Sequence, residues 1–171
     1  MPEPTPRYNP LLHIVLYEPE IPQNAGAIGR TCVAVGAKLW LVRPLGFRVD
    51  DRQLRRAGLD YWEHLAWEAV DDWDALVARL PNPTPWLFSK TAETPYTDVR
   101  FRRGDVLVFG NESQGLPDSF LAAHPDRTLR IPIRPEARSL NLSVTVGIAA
   151  YEARRQILRG GCSSGDTIHN Y

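Results

Sequence analysis

The chain has 171 residues, 43% apolar and 23% charged, and its 20 basic side chains balance 20 acidic ones. That length fits one domain with a sizeable core, and the composition is that of a soluble globular protein rather than a fibrous or disordered one. No apolar run approaches the roughly 18–20 residues of a membrane span, and the Pro-rich Met1–Pro10 lacks the apolar segment of a secretion signal.

Leu11 to Tyr17 is a continuous apolar run, the pattern of a central parallel strand buried on both faces. Glu18 to Pro22 stops it. Asn24 then stands where an N-cap would start a helix from Ala25 to Val35. In that helix Ala25, Ile28, Cys32 and Val35 form one stripe, and Arg30 faces the other way. Gly26 and Gly29 leave room for a close neighbour, and Gly36 suits the residue after the helix end. Lys38 to Val42 reads as a second strand and Pro44 to Phe47 as a turn. A short helix capped by Asp50 or Asp51 runs to Arg56. Leu59 to Trp62 forms an aromatic patch of the kind found in cores and interfaces. Asp72 to Leu80 is a crossover helix, with Trp73, Leu76, Val77 and Leu80 on one side, and the segment Pro81 to Pro85 breaks it.

Trp86 to Phe88 is a short buried strand, followed by a polar, basic loop from Ser89 to Arg103. Val106 to Phe109 is a clear strand that stops at Gly110-Asn111-Glu112-Ser113-Gln114-Gly115-Leu116-Pro117. A short helix from Pro117 or Asp118 to Ala123 and a strand from Leu129 to Ile133 lead to Arg138-Ser139-Leu140-Asn141-Leu142-Ser143 and a closing helix, Val144 to Leu158. From Leu140 to Ala150 this last segment is apolar on nearly every face. In a domain this small, one such face is expected to meet a second subunit. Strands alternate with helices, so the fold class is α/β with a mainly parallel sheet flanked by helices. The expected organisation is a flexible segment 1–10, one domain over 11–159, and a disordered tail 160–171.

Eighteen of the 20 basic residues are arginines, the better fork for phosphate. They cluster at Arg48–Arg56, Arg100–Arg103, Arg130–Arg138 and Arg154–Arg159. The pattern fits phosphate binding, and equally a solvated mixed-charge surface or an arginine-rich codon bias. Cys32 and Cys162 have neither metal nor redox spacing, which fits a reducing, cytoplasmic setting. His13, His64, His124 and His169 share no loop and no ligand spacing, so no metal site is expected. Dinucleotide, P-loop and nucleophile-elbow fingerprints are absent. Ser113 and Ser139 have no paired histidine to make a hydrolase nucleophile.

Three polar clusters remain on loops at the carboxyl ends of strands, where open parallel sheets bind ligands. They are Asn24 with Arg30, Asn111 to Gly115, and Ser139 to Ser143. Singly, each has a plain alternative. Asn24, Ser139, Asn141 and Ser143 fit helix caps, and Glu112 fits a solvated loop acid.

In this order the clusters resemble the SPOUT superfamily of RNA methyltransferases, in its SpoU (TrmH-like) branch. The motifs are Asn24-Ala25-Gly26-Ala27-Ile28-Gly29-Arg30, Phe109 to Pro117, and Ser139 to Val144. Ile14 to Pro22 and Leu54 to Tyr61 extend the likeness to the minimal single-domain TrmL-type (YibK-like) enzymes. These methylate the ribose 2′-oxygen of the tRNA wobble nucleotide, a cytidine or modified uridine. The resemblance covers about Leu12 to Leu158.

It implies a C-terminal deep trefoil knot, an exception to unknotted folding. It implies S-adenosylmethionine bound there, with S-adenosylhomocysteine as product and no metal. The pocket would draw on Leu87, Phe88, Gly110, Gly115, Leu116, Ile131, Ser139 and Leu140. It implies a homodimer packed through the first and last helices, with Tyr151 at the interface, and the tRNA anticodon stem-loop as partner. Arg30, Asn24, Glu112, Asn141 and Ser143 carry over as catalytic-site residues. Arg30 would act on the 2′-hydroxyl. Asn24 would fix its loop or touch the ribose, and Glu112 would anchor the knotted loop or face substrate or Arg30. Asn141 and Ser143 would hydrogen-bond across the site or cap the last helix. Another tRNA position, ribosomal RNA, or a non-catalytic RNA-binding knot are the competing functional readings.

Overall fold

The computed structural model describes residues 9–50, 56, 61–80 and 84–160. The short helix expected up to Arg56, Leu59 and Asp60 of the aromatic patch, most of the N-terminal segment, and the tail from residue 161 lie outside the described residues.

Seven strands form one sheet in the order β3-β2-β1-β6-β4-β7-β5, every pairing parallel. They are β1 (Leu12–Tyr17), β2 (Ala37–Val42), β3 (Trp67–Val70), β4 (Pro85–Phe88), β5 (Thr94–Pro95), β6 (Val106–Phe109) and β7 (Thr128–Arg130). Between and after them lie α1 (Pro22–Val35), α2 (Trp73–Arg79), α3 (Asp118–Ala123) and α4 (Leu142–Gly160).

Successive side chains on a strand point to opposite faces, and the core follows that period. Leu12, Ile14 and Leu16 of β1, Leu39 and Leu41 of β2, and Leu107 and Phe109 of β6 face α1 and α4. Those helices contribute Ala25, Ile28, Cys32 and Val35, and Val146, Ala149, Ala150 and Ala153. Val15, Trp40, Val42, Leu87 and Val108 face the other way, where Leu76 of α2 and Phe120 and Leu121 of α3 cover them. Helices on both sides explain why β1 and β6 read as unbroken apolar runs.

The buried His13 illustrates how a polar residue is accommodated in β1. Its Nδ1 accepts a hydrogen bond from Trp40 Nε1 at 3.0 Å. Burial, reinforced by the Lys38 charge, lowers its pKa to about 4, so it is neutral at pH 7.

Several element boundaries shift for local reasons. Strand β7 ends at Arg130 rather than Ile133, because Pro132 has no N–H to donate to a ladder. The loop after β4 contains the two-residue edge strand β5, paired to β7. Edge strand β3, which no sequence pattern indicated, pairs with β2. Its Glu68 bridges Lys38 and Arg79, each at 2.7 Å.

Helix α1 begins at Pro22, and Ile21 is its N-cap residue. Asn24 is therefore inside the first turn and is not the cap. Pro at the first helical position suits this start, since its missing N–H would be unpaired there anyway. Helix α4 buries one face. Its other face leaves Val144 48% and Tyr151 55% exposed. Those two residues are seven apart, two helical turns on one stripe.

Candidate functional site around Asn24, Glu112 and Asn141

Two loops leave the carboxyl ends of β1 and β6, which are neighbours in the sheet. The loop after β1, Glu18 to Ile21, is fixed from behind by Gly46. The Gly46 N–H donates to the Pro19 carbonyl at 2.9 Å. A Cβ on Gly46 would lie 2.6 Å from the Glu20 carbonyl oxygen, so only glycine allows this approach. The loop after β6 folds back on itself through an Asn111–Gly115 bridge. Gly115 adopts φ +71, and a Cβ on Gly110 would lie 2.0 Å from the Gly115 carbonyl carbon. The glycines at 110 and 115 are thus required by close contact and by backbone conformation respectively.

This geometry aims Glu112 at the entry of α1. Its carboxylate accepts the backbone N–H of Glu20 at 2.8 Å and of Ile21 at 3.1 Å, and the Asn24 side-chain amide at 3.1 Å. A carboxylate at a helix N-terminus is also favoured by the helix dipole. Asn24 is 7% exposed, and its Oδ1 accepts from Asn141 Nδ2 at 3.0 Å. Asn141 Oδ1 in turn accepts the Ser143 N–H at 2.8 Å, the Ser143 hydroxyl at 2.6 Å and the Val144 N–H at 3.4 Å. Asn141 is therefore the N-cap of α4 and a cross-link to α1 at once. A second tie joins the same loops: Ser113 Oγ donates to Glu20 Oε1 at 2.6 Å.

Asn24, Glu112, Asn141 and Ser143 are thus brought into one hydrogen-bonded chain across residues far apart in sequence. Arg30 is not part of it. It lies six residues beyond Asn24 on α1, roughly 9 Å along the axis at 1.5 Å per residue. Its guanidinium sits 4.6 Å from the ring centroid of Tyr61, a cation–π contact. Among the described residues no carboxylate is within ion-pair distance of it.

The residues expected to hold a cofactor gather at the same edge. Strands β6, β4 and β7 are adjacent and parallel, with Phe88 in register with Phe109 and with Leu129. Gly110 therefore lies one residue, and Ile131 two residues, beyond the row that Phe88 shares with Phe109 and Leu129. Phe88 stacks on Phe109 with centroids 4.7 Å apart. Ile131 is half-buried and packs on the core. Ser139 and Leu140 directly precede Asn141, which is tied to Asn24. Leu87 is fully buried and Leu116 nearly so, both packed on the α2–α3 side of the sheet. Leu87 thus has only its backbone to offer a ligand. Among the described residues no three His, Cys, Asp or Glu side chains group to hold a metal ion.

Sequence reasoning missed three contributors. Glu20 presents both a backbone donor and a carboxylate to the 112–113 loop. Gly46 sets the loop that carries Glu20. Tyr61 carries Arg30. Each lay in a stretch the sequence had marked, Glu20 in Ile14–Pro22, Gly46 in the turn Pro44–Phe47 and Tyr61 in Leu54–Tyr61, but none was singled out.

Comparison with known proteins places this arrangement. Residues 11–151 match the SpoU rRNA Methylase family. A tRNA (cytidine(34)-2'-O)-methyltransferase of Methylovorus glucosotrophus is 42% identical over 147 residues, covering 85% of this chain and 96% of that protein. The protein of the same name from Saccharophagus degradans is 44% identical over 151 residues, covering 86% and 96%. A solved structure described as "Structural insights into the 2-OH methylation of C/U34 on tRNA" superposes with a TM-score of 0.83 at 50% identity, covering 89% of this chain and 99% of that one. An AdoMet-bound rRNA methyltransferase from Sinorhizobium meliloti superposes at 0.76 with 28% identity, covering 87% and 61%. The chain belongs to the SpoU rRNA methylase family.

Proposed function

We propose that this protein transfers a methyl group from S-adenosylmethionine to the ribose 2′-oxygen of nucleotide 34, the wobble position, in the anticodon loop of tRNA. One observation carries the reading. The three loops that hold the family's motifs converge through the Glu112–Asn24–Asn141 chain, in a protein that aligns along nearly the whole length of relatives named for that reaction.

The residues at the carboxyl edge fit the cofactor. Phe88 and Ile131 supply an apolar wall. The Gly110–Gly115 turn and the stretch Ser139–Leu140 offer backbone groups, and glycine at 110 lets that turn close on itself. When bound, S-adenosylmethionine supplies an electrophilic methyl carbon on a sulfonium. The protein must then position a 2′-hydroxyl that is barely ionised at pH 7. A guanidinium resists deprotonation, so Arg30 acts by stabilising the developing negative charge and by orienting the nucleotide through a phosphate. Tyr61 limits where that guanidinium can go. Glu112 acts as the anchor of the loop after β6. Its engagement with two backbone N–H groups and Asn24 supports this role over direct contact with substrate. Asn24 and Asn141 hold α1 and α4 in register with that loop, and Ser143 completes the α4 cap. Because Arg30 stands apart from this chain within one protomer, the complete site draws on a homodimer. The exposed Ile21, Val144 and Tyr151 at α1 and α4 support that assembly. The match to the SpoU rRNA Methylase family supports a trefoil knot at this edge. A cytoplasmic location accords with a tRNA substrate.

The test is incubation with methyl-labelled S-adenosylmethionine and total tRNA, followed by nucleoside mapping. Label in a 2′-O-methylated nucleoside at position 34 is expected. Label at another position, in ribosomal RNA only, or in no RNA overturns the proposal.

A further inference from the structure

The opposite edge of the sheet carries a second charged feature. Helix α4 runs 19 residues from the cluster at Asn141, a span of about 28 Å. At its far end lies a pocket of about 390 Å³, with Arg100, Arg102 and Arg103 on one side and Ile157 and Leu158 of α4 on the other.

The loop that presents these arginines is held without their side chains. Gln156 of α4 accepts the Phe101 N–H at 2.9 Å and donates to the Val99 carbonyl at 3.2 Å. Phe101 is buried against Trp86, ring centroids 5.9 Å apart. Asp105 accepts from the Arg102 backbone N–H at 2.9 Å and from Trp86 Nε1 at 3.1 Å, and the Gly104 N–H donates to the Leu11 carbonyl at 2.8 Å. Nearby Glu152 is engaged by Arg155 and Gln156. Among the described residues, none of the three arginines has a carboxylate within ion-pair distance. A hydrogen-bonded loop thus places three exposed arginines along a cavity, none of them committed to an ion pair among the described residues.

Arginine forks in a preformed pocket are the chemistry of phosphate recognition. The anion source is a nucleic-acid backbone rather than a free phosphate, because three charges strung along one loop match a chain of phosphates. We propose that this pocket is a second RNA-phosphate anchor, gripping the tRNA backbone at a distance from the nucleotide that is methylated. The proposal rests on tRNA being the substrate. It assigns no part in methyl transfer to these residues.

The experiment compares the full chain with the double variant Arg102→Gln/Arg103→Gln, and with Arg79→Gln as a control whose arginine is paired to Glu68. Binding of total tRNA is measured across salt concentrations, with S-adenosylmethionine binding and thermal unfolding alongside. Removing two phosphate contacts lowers the log–log salt slope by about 1.8 and weakens tRNA binding about ten-fold at roughly 0.1 M salt. Cofactor binding and the control variant stay unchanged. Inorganic phosphate titrated against each protein separates the sources. Phosphate protection against unfolding that disappears in the double variant, with tRNA affinity unchanged, shows a free-anion site and overturns the proposal. A lower unfolding midpoint with an unchanged salt slope shows that the arginines only offset the α4 dipole, and also overturns it. Wild-type protein that binds no tRNA overturns the functional reading and this inference together. An unchanged slope in the double variant, with wild-type binding intact, overturns this inference alone.

Discussion

Replacing Glu112 with alanine is expected to loosen three segments in one step. The carboxylate accepts from Glu20 N, Ile21 N and Asn24 Nδ2. Buried hydrogen bonds to a charged group contribute about 1.5–3 kcal/mol each. Here the Ile21 contact is exposed and water can replace it in part, so about 1 kcal/mol apiece is the better figure. The sum is about 3 kcal/mol, or about 6–12 °C in unfolding midpoint for a chain of this size. Glu112→Gln keeps one oxygen acceptor but turns an amide donor toward other donors. It also removes the charge at the α1 N-terminus, and about 1.5–2 kcal/mol is expected. Urea unfolding measures both, with a shifted midpoint and an unchanged slope as the sign of a pure stability effect. Methyl transfer falls in both variants, in the same order as stability. Two results would refute the reasoning. Stabilities within 0.5 kcal/mol of wild type would show that the three hydrogen bonds carry little energy. A glutamine variant with full stability and no transfer would make the carboxylate a participant in the reaction rather than an anchor.

Arg30→Ala should abolish transfer while S-adenosylmethionine binding stays near wild type by calorimetry; equal turnover would remove Arg30 from the mechanism. Gly110→Ala must drive a methyl group into the Gly115 backbone, so a loss of about 3 kcal/mol in urea unfolding is expected, with cofactor binding lost as well. Protonation of His13 gives the pH dependence. Its folded pKa of about 4 lies below the ordinary 6.5, so the unfolded chain takes up the proton first as pH falls. The stability contribution is full above pH 6.5, declines between 6.5 and about 4, and is gone below. Its size is up to about 3 kcal/mol. An NMR titration of His13 with a midpoint near 6.5 would contradict this.

The architecture was legible where one face or both faces of an element are buried. Leu12 to Tyr17 and Val106 to Phe109 are apolar throughout because helices cover both sides, and helix α2 was legible from Trp73, Leu76 and Leu80. Strand β3 escaped because an edge strand needs only partial burial. Trp67-Glu68-Ala69-Val70 carries a charge that serves two ion pairs rather than a period. Strand β5 escaped because two residues, one of them proline, carry no pattern at all. The family motifs pointed to the candidate site residues before any geometry. Their mutual arrangement was not legible, since the hydrogen bond between Asn24 and Asn141 joins positions 117 residues apart.

The asparagines show why local signals could not decide between capping and site assembly. Asn141 satisfies both descriptions, because its Oδ1 caps α4 while its Nδ2 is free to reach Asn24. An aspartate would cap equally well but would place an acceptor against the Asn24 Oδ1, and a serine would cap without reaching it. An amide carries its acceptor and its donor on separate atoms, so it can cap the helix with one and reach Asn24 with the other. Asn24 uses the same property in series, donating to Glu112 and accepting from Asn141, which is why it is buried inside the first turn of α1 rather than exposed at its cap. The chain Glu112–Asn24–Asn141 therefore has a direction, from carboxylate acceptor to helix cap. An aspartate at either asparagine position removes the donor of one link and sets an anion against an acceptor. What links the loops is the alternation of donor and acceptor. That is a property of the sequence read in space, and none of the three motifs displays it alone.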